Sequence, residues 1–382
     1  MRVTSQLIYS TLADLVSINS VNPAYDGGVS EAAVLHYLQN FFGQRGVETW
    51  TQEVFPGRSN LIARLPGRNP SRRVLLEAHM DTVSVKGMTI PPFEPRIEQG
   101  RLYGRGSCDT KAGLAGMMHA LAALKADGTT PPCEIWLAAV VDEEFSYRGV
   151  VRLCEGLAGH AALVAEPTEL RMVVASKGVL RWRIRVRGRS AHSSKPHLGV
   201  NAITQMARLV LALEEDQPRL RAAPHPLLGP ATLSVGVIHG GVQVNMVPDA
   251  CVIEIDRRLL PGETVTDVLS HSQRLIDRLA ALNPGFNAFM EPPLLIDEAL
   301  DTPANHGAVQ LAGQVLRQLG LNGDPAGVPF GSDASKLSRQ GVPSLLFGPG
   351  SIDQAHAADE YVEIEQVLVA HEFYRSFIQR FE

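Results

Sequence analysis

Five separated fragments of the chain carry the side chains with which proteins bind metal ions. Each fragment ends an apolar run, and the set comprises His79-Met80-Asp81, residues 104–109, Asp142-Glu143-Glu144, Glu166-Pro167 and His356. Two imidazoles and three carboxylates are about what a pair of closely spaced divalent metals needs, and one further carboxylate could then act as a base. These residue types therefore predict metal-assisted chemistry.

The elements that must position these residues are short buried strands. Apolar runs at residues 74–78, 135–141 and 163–165 come directly before His79, Asp142 and Glu166. Helix-period and strand-period segments alternate along the chain, which indicates an α/β layer structure. Ligands of open α/β folds bind beyond the carboxyl ends of parallel strands. We therefore expect these polar residues to meet along one edge of a sheet.

Each fragment taken alone has an ordinary structural explanation. His79 with Asp81, or the adjacent Glu143 and Glu144, can be surface polar residues, and a histidine in a Gly/Pro-rich loop, such as His356, is commonly exposed. If His79 binds metal, Asp81 is placed to hold its other ring nitrogen. The joint presence of the fragments favours the metal site.

Gly104-Arg105-Gly106 is similar to the start of a dinucleotide-binding loop. The segment lacks the final glycine and follows no convincing buried strand, which disfavours a nucleotide site. A glycine-shaped turn that presents Asp109 at the start of a helix over residues 110–124 explains the segment better, because an acidic side chain there meets the helix dipole. Cys108 has no neighbouring base that would activate a thiol nucleophile.

Length, composition and charge exclude several other classes of protein. The chain has 382 residues, 45% of them hydrophobic, which is enough for two domains. Its net charge of −5 argues against a nucleic-acid binder, and no run approaches the roughly 18 apolar residues that cross a bilayer. We expect no export signal, and the four scattered cysteines without a C-x-x-C pair fit a reduced, cytoplasmic protein.

From about residue 179 the pattern changes to that of a second domain. Residues 180–188 alternate strictly between arginine and apolar side chains, as in a half-buried strand whose arginines form a solvated face rather than an anion site. The following elements give the order β-α-β-β-α-β of a ferredoxin-like unit. We therefore predict an α/β catalytic domain over residues 1–178 and 294–382, with an inserted α+β domain over residues 179–293.

Taken in order, the fragments resemble the M20 family of metallopeptidases over nearly the whole chain. The segments that carry the resemblance are His79-Met80-Asp81-Thr82-Val83, Gly104-Arg105-Gly106-Ser107-Cys108-Asp109-Thr110-Lys111, Asp142-Glu143-Glu144, Glu166-Pro167-Thr168 and the loop of His356. The resemblance implies a zinc-peptidase-like catalytic domain, with a mixed sheet flanked by helices. It also implies that the inserted domain is a lid and the dimer interface of a homodimer.

The resemblance further implies a role for each residue of the catalytic domain. His79 and Glu166 would complete one metal site, and Glu144 and His356 the other. Asp109 would bridge the two ions, which would be zinc in preference to cobalt or manganese, although carboxylate-rich sites admit all three. In addition, Glu143 would be the general acid/base and Asp81 would orient His79.

Residues beyond the metal site would bind the substrate. The resemblance implies that His192, in Gly188-Arg189-Ser190-Ala191-His192, reaches a neighbouring subunit's active site and stabilises the oxyanion. Asn245 and Arg258 would bind the substrate carboxylate, and Gly331 and Ser332 would also contact the substrate. Arg258 could pair with that carboxylate through two parallel hydrogen bonds, which would select N-acyl amino acids over neutral amides.

The activity that the resemblance implies is hydrolysis of the acyl group from an N-acyl amino acid. The His356 loop is most similar to acetylornithine deacetylases, which predicts N-acetylornithine as the substrate and a place in amino-acid biosynthesis. Gly331-Ser332-Asp333-Ala334 is closer to peptidases and desuccinylases, so a succinyl-diaminopimelate desuccinylase or a broader N-acyl-amino-acid hydrolase or carboxypeptidase is the alternative.

Two interpretations from other classes remain open at this point. A non-catalytic binding protein on the same fold is one, although neither a ligand nor the base is missing from the sequence. A transferase or dehydrogenase on a doubly wound sheet is the other, and it lacks a nucleotide fingerprint.

Overall fold

The chain alternates helices with strands, and a computed structural model describes it over residues 4–382. The helices are α1 (Ser5–Ser17), α2 (Ala32–Gly43), α3 (Lys111–Ala126), α4 (Arg148–Cys154), α5 (Ala202–Glu215), α6 (Gln217–Arg221), α7 (Val265–Leu282), α8 (Gly307–Gln318), α9 (Asp333–Arg339) and α10 (Ile364–Ile378). The strands are β1 (Glu48–Phe55), β2 (Arg58–Leu65), β3 (Asn69–His79), β4 (Arg96–Glu98), β5 (Arg101–Tyr103), β6 (Cys133–Val140), β7 (Ala161–Val164), β8 (Val173–Ser176), β9 (Gly178–Arg187), β10 (Thr232–Gly240), β11 (Ala250–Leu259), β12 (Ala288–Met290), β13 (Leu295–Asp297), β14 (Leu300–Asp301), β15 (Ala326–Val328), β16 (Ser344–Leu346) and β17 (Tyr361–Glu363).

The chain divides into two compact units. The first contains the described part of Met1–Val174 with Asp301–Ala326 and Ser332–Glu382, and the second contains Ala175–Leu300 with Gly327–Gly331. The second unit thus extends beyond the insertion predicted at residues 179–293. One reason is that β13 pairs with β9, so the sheet of the second unit continues past Pro292 and Pro293. Residues 327–331 also return to it, since the backbone N–H of Lys177 donates to Val328 at 3.1 Å.

The central sheet of nine strands is mixed, as the resemblance implied. Its strand order is β1-β2-β6-β3-β7-β16-β8-β14, with β15 paired to β8. Strand β3 runs parallel to both β6 and β7, whereas β1 and β2 are antiparallel. Strands β6 and β7 and residues 74–79 of β3 are almost wholly buried, which explains why they appear in the sequence as apolar runs. The predicted α/β class is confirmed.

Helix α3 is the most deeply buried helix of the first unit, with every residue from Lys111 to Leu124 buried. It packs against α1 and α10. Helix α1 turns one apolar face inward, which contains Ile8, Leu12, Leu15 and Val16, as its helical spacing predicts. Among the described residues, no helix combines the length and the apolar character that crossing a membrane would require.

The second unit has a sheet in the order β10-β11-β9-β12, with β13 also paired to β9. All of these pairs are antiparallel. Helices α5 and α7 contribute Met206 and Leu275 to a core that also contains Trp182 and Ile253. The chain order β9-α5-β10-β11-α7-β12 is the predicted ferredoxin-like order.

Three of the four arginines of β9 form ion pairs on the exposed face of this sheet. Nε of Arg181 lies 2.8 Å from Asp256, and Nε of Arg185 lies 2.9 Å from Glu291. Arg183 pairs with Glu254 at 2.6 Å. Because neighbouring carboxylates already offset their charge, these arginines form a solvated face, as predicted, and not an anion site.

Candidate metal centre

Three strands of the first unit end beside one another and carry the predicted site residues. His79 is the last residue of β3 and lies opposite Val140, the last residue of β6. Asp142-Glu143-Glu144 begins two residues after β6, and Glu166 likewise comes two residues after β7. Since β6 and β7 run parallel to β3 on either side, these residues meet at one sheet edge, where the sequence placed them.

The Asp109 carboxylate lies between two imidazoles. Its Oδ1 is 3.0 Å from Nε2 of His79, and its Oδ2 is 3.3 Å from Nε2 of His356. The same nitrogen of His356 is 3.2 Å from the Glu144 carboxylate. His79, Asp109 and Glu144 each place one ligand atom within 4.8 Å of the others. Histidine nitrogens and carboxylate oxygens at this spacing are a donor set that divalent metals accept.

The acids of this site repel one another. Burial raises the pKa of Glu144 to about 7, and the charge of Asp109 adds to the effect. Burial, followed by the charge of Asp109, also raises the pKa of Glu166 well above its ordinary range. Burial is the largest cause for Glu143 as well, and neighbouring carboxylates raise its pKa further against the opposing effect of His79. A cation at this position would relieve the repulsion, so the residues present fit a metal.

The pKa values of the two histidines are raised as well. Burial lowers the pKa of His356, but hydrogen bonds to Asp109 and Glu144 outweigh it and raise the pKa to about 10. The pKa of His79 is likewise raised, because the hydrogen bond to Asp109 and the charge of Glu143 outweigh burial.

Asp81 contacts both the histidine and the acidic turn. Nδ1 of His79 lies 2.9 Å from the backbone oxygen of Asp81, whereas the carboxylate of Asp81 is 3.7 Å from it. That carboxylate instead accepts the backbone N–H groups of Glu143 and Glu144, both at 3.1 Å. Asn22 donates its side-chain amide to Asp81 at 2.8 Å. The structure thus gives Asp81 a contact with residues 143–144 that the sequence did not indicate.

Glu166 is buried but does not belong to the compact group of ligand atoms. It is 5% exposed, and it is not among the three residues whose ligand atoms lie within 4.8 Å of one another. Helix α3 packs closely against the segment of Glu166 at Gly113, because a Cβ on Gly113 would lie 2.5 Å from Cβ of Ala165. The start of α3, which follows Asp109, can therefore approach the residue next to Glu166 in the chain.

Sequence reasoning missed two further buried acids. Burial and the charge of Asp333 raise the pKa of Glu77, and burial raises the pKa of Asp333 to about 7. Glu77 could have been found, because it lies two residues before His79 in β3 and residues two apart point to the same face of a strand. Asp333 lies in the segment Gly331-Ser332-Asp333-Ala334, whose resemblance bore on the substrate but gave this residue no role.

Four of the predicted substrate-binding residues lie in the second unit. His192 is exposed, with Nδ1 2.8 Å from Oγ of Ser194. The neighbouring backbone N–H of Ser193 donates to Asn245 at 3.0 Å, which places His192 and Asn245 on adjacent segments. Arg258, on β11, donates Nε to Asp256 at 2.8 Å. Gly331 also belongs to this unit, which includes Gly327–Gly331.

Ser332, the fifth of these residues, belongs to the first unit and precedes α9. It is fully buried, and its hydroxyl has no hydrogen-bond partner among the residues that the structure describes. Gly331 before it leaves no space for a side chain, because a Cβ there would lie 1.7 Å from Oδ2 of Asp297.

Residues 75–380 match the model of the family described as Peptidase family M20/M25/M40. The chain belongs to this family. The match confirms the resemblance that the site residues showed in the sequence. As an M20 protein, the chain is a metal-dependent hydrolase.

Curated relatives and solved structures agree with this assignment. The acetylornithine deacetylase of Myxococcus xanthus is 30% identical over 96% of each chain. That of Salmonella arizonae is 31% identical over 98% of this chain and 97% of its own. The structure of aminopeptidase PepT from Bacillus cereus has a TM-score of 0.83 at 23% identity and covers 99% of this chain and 98% of its own. A dinuclear metal-binding M20 peptidase from Bacillus subtilis has a TM-score of 0.76 at 16% identity over 98% of this chain and 97% of its own. These two structures show a shared fold.

Proposed function

We propose that this M20 protein removes the acyl group from N-acyl amino acids at a dinuclear metal site, with N-acetylornithine as its preferred substrate. The observation that carries the proposal is the Asp109 carboxylate, whose two oxygens lie 3.0 and 3.3 Å from Nε2 atoms of two different histidines. A carboxylate that faces two separate imidazole nitrogens is suited to bridge two ions.

We propose the ligands that membership of the family implies. His79 and Glu166 would hold one ion, Glu144 and His356 would hold the other, and Asp109 would be a ligand of both. We propose zinc, which imidazole and carboxylate donors suit, with cobalt and manganese as ions that the same donors accept. When bound, two such ions would polarise the acyl carbonyl and lower the pKa of water.

Glu143 is the proposed general acid/base. Its backbone is held by Asp81, and burial raises the pKa of its carboxyl well above the ordinary range. A carboxylate with a raised pKa accepts a proton more readily than an ordinary one, as a general base must. Glu143 would take the proton of the attacking water and deliver it to the leaving amine.

The second unit supplies the proposed substrate contacts. His192 is exposed there, and we propose that it donates to the oxyanion in the active site of a neighbouring subunit, a contribution of about 3 kcal/mol in comparable sites. Asn245 and Arg258 would bind the substrate carboxylate. The Asp256 carboxylate orients the Arg258 guanidinium by accepting a hydrogen bond from its Nε. Gly331 and Ser332 would contact the substrate from the segment between β15 and α9.

The proposed lid and dimer interface is the second unit, and its sheet edge supports the dimer. Strand β10 ends the sheet, since its one partner among the described strands is β11. Apolar side chains are exposed along and beside it, with Ile238 at 52% and Val242 at 87%. An open edge with exposed apolar residues favours pairing with a second copy of the chain.

The proposed location is the cytoplasm, and the proposed partners are small N-acyl amino acids and a second copy of the chain, with no nucleic acid or membrane. The support is the state of the cysteines: Cys108, Cys133, Cys154 and Cys251 are all free and buried. Free thiols persist in reducing compartments.

A second candidate activity is hydrolysis of short peptides. It is favoured by the similarity to aminopeptidase PepT and by the structure of a tripeptidase from Staphylococcus aureus, which has a TM-score of 0.81 at 22% identity over 99% of each chain. The curated relatives reported above, at 30% and 31% identity, are named for a deacetylase, so we place the acylated amino acid first. Desuccinylation is the nearest variant of that reaction.

The test is release of free amine by protein reconstituted with zinc or cobalt, beside a chelator-stripped sample. N-acetyl-L-ornithine, N-succinyl-diaminopimelate and a tripeptide with a free amino terminus are assayed in parallel. Metal-dependent release from the acetyl compound supports the proposal. Release confined to the succinyl compound or to the tripeptide would transfer the activity to that substrate. Two bound ions with no release from any of the three would indicate a binding protein.

A further inference from the structure

Glu360 is a buried acid that the roles proposed above do not use. None of its surface is exposed. Its carboxylate accepts four donors from one loop, which are Nη1 of Arg105 at 2.6 Å and the backbone N–H groups of Gly106 at 3.1 Å, Cys108 at 2.9 Å and Asp109 at 3.1 Å. A single side chain therefore accepts three backbone N–H groups and pairs with a buried guanidinium.

The loop that Glu360 holds is shaped by close approach. Gly106 has φ +79°, and a Cβ there would lie 2.8 Å from Cγ2 of Thr82. Backbone N–H groups that point inward from such a loop need an acceptor, because buried donors without one are costly. The Glu360 carboxylate is that acceptor, so the loop conformation depends on a residue that lies 251 positions from Asp109 in the chain.

Glu360 also connects two of the proposed metal ligands. Asp109 is the last residue of the held loop, and its own backbone N–H donates to Glu360. His356 lies four residues before Glu360 in the same segment. The Arg105 guanidinium donates to the carbonyl of Ala357 at 3.5 Å as well, so it contacts that segment twice. The Arg105–Glu360 pair thus ties the segment of His356 to the loop of Asp109.

We propose that Glu360 is a positioning residue of the metal centre, which fixes Asp109 relative to His356 and so sets metal affinity and turnover. The inference rests on the proposed function, because Asp109 and His356 are ligands of the proposed centre. Groups that orient metal ligands in this way typically change metal affinity or activity about 10–100-fold when they are removed.

Glu134 offers a matched control in the same unit. It is 3% exposed and accepts Nε of Arg64 at 2.6 Å and Nε of Arg73 at 2.9 Å. It lies near the start of β6, whereas the site lies beyond Val140 at the other end of that strand. Removal of its charge therefore tests what a buried glutamate–arginine pair contributes to stability away from the metal ligands.

The experiment compares the 382-residue wild-type chain with Glu360→Gln, Glu360→Asp and Glu134→Gln. Chelator-treated samples are titrated with Co²⁺ and followed by visible absorption. Thermal unfolding is measured in parallel, and kcat and KM are measured after reconstitution. We expect Glu360→Gln to bind Co²⁺ about 10–100-fold more weakly, with a similar fall in kcat and little change in KM. Glu134→Gln should lower Tm and leave the Co²⁺ affinity and spectrum unchanged.

Glu360→Asp keeps the charge and shortens the side chain by one methylene group, so its Co²⁺ affinity should fall between those of wild type and Glu360→Gln. If Glu360→Gln does not fold, Glu360→Asp is compared with wild type in its place. Wild-type Co²⁺ affinity and spectrum in the Glu360 variants, or an equal loss of affinity in Glu134→Gln, would overturn the positioning role alone. A wild-type chain that binds no Co²⁺ would overturn the metal centre itself and the positioning role with it.

Discussion

The carboxylate of Asp81 accepts the backbone N–H of Glu143 at 3.1 Å. Its other oxygen accepts the backbone N–H of Glu144 at the same distance. The backbone oxygen of Asp81 meanwhile lies 2.9 Å from Nδ1 of His79. One residue therefore orients an imidazole through its main chain and holds the turn of the proposed base through its side chain.

Asp81→Asn should lower kcat about 10–100-fold. In the wild type each oxygen of Asp81 accepts one backbone N–H group, and the amide would replace one of these acceptors with an NH₂ donor. Steady-state kinetics on the metal-loaded protein measure the change, and metal content is determined on the same samples. Asp127→Asn is the control, since Asp127 lies at the exposed end of α3 and pairs with Arg375. A wild-type kcat in Asp81→Asn would show that the turn does not need this acceptor.

Glu143→Gln and Glu144→Gln form a matched pair, because the two residues are adjacent and the substitutions are the same. Glu143→Gln should retain both ions while kcat falls about 10²–10⁴-fold, the range for loss of a general acid/base. Glu144→Gln should instead lose bound metal, since it removes a ligand. Metal analysis and kinetics on both variants separate the roles. Metal loss in the first variant with retention in the second would reverse the assignment.

The buried His119, which is not among the proposed metal ligands, should make the stability of the protein depend on pH. Burial lowers its pKa from the ordinary 6.5 to about 4, and its Nε2 lies 2.8 Å from Oγ1 of Thr11. Between these pH values the unfolded chain binds a proton at His119 and the folded chain does not. The stabilisation is therefore complete above pH 6.5 and is lost as pH falls toward 4, by up to about 3 kcal/mol.

Urea unfolding from pH 7 to pH 4 measures this effect as the difference between wild type and His119→Gln. The wild-type curve should fall more steeply over this interval, and the two curves should run parallel above pH 7. Comparison of the two proteins cancels the titration of the site carboxylates, which both contain. Parallel curves throughout would contradict the assignment of a neutral, buried His119.

Gly113→Ala should destabilise the first unit by about 1–3 kcal/mol, the usual effect of inserting a group into a packed interior. The added Cβ would lie 2.5 Å from Cβ of Ala165 and would push α3 away from the segment of Glu166. Gly43→Ala, at the end of α2, is the control, because a Cβ there meets nothing within 4 Å. Chemical unfolding gives both free energies, and equal stability of the two variants would argue against the close packing.

Ile238→Lys should shift the proposed dimer toward monomer. The substitution places a charge on the open edge of the sheet, in β10, where Ile238 is 52% exposed. Sedimentation velocity over a range of concentrations measures the association. Leu282→Lys is the control, since Leu282 is 72% exposed at the end of α7. An unchanged dimer in Ile238→Lys would place the interface elsewhere.

The local pattern of the sequence was sufficient for much of the fold. The α/β class, the runs that became β3, β6 and β7, and the ferredoxin-like order of the second unit follow from periodicity, because burial of a strand or a helix face imposes a local spacing of apolar residues. The boundary at Pro292 and Pro293 was wrong for the second unit because β13 forms its pairs after them.

Residue types and their order in the chain determined the chemistry of the site, since imidazoles and carboxylates at strand ends already indicate a metal-binding edge. The tertiary structure decided which atoms face one another. It set the two oxygens of Asp109 against two histidines and gave Asp81 its contact with Glu143. It also brought the Glu360 carboxylate into contact with the backbone of Asp109, which lies 251 residues away in the chain. Such contacts join segments that are distant in sequence, and their geometry depends on how the strands and loops pack, which no local spacing records.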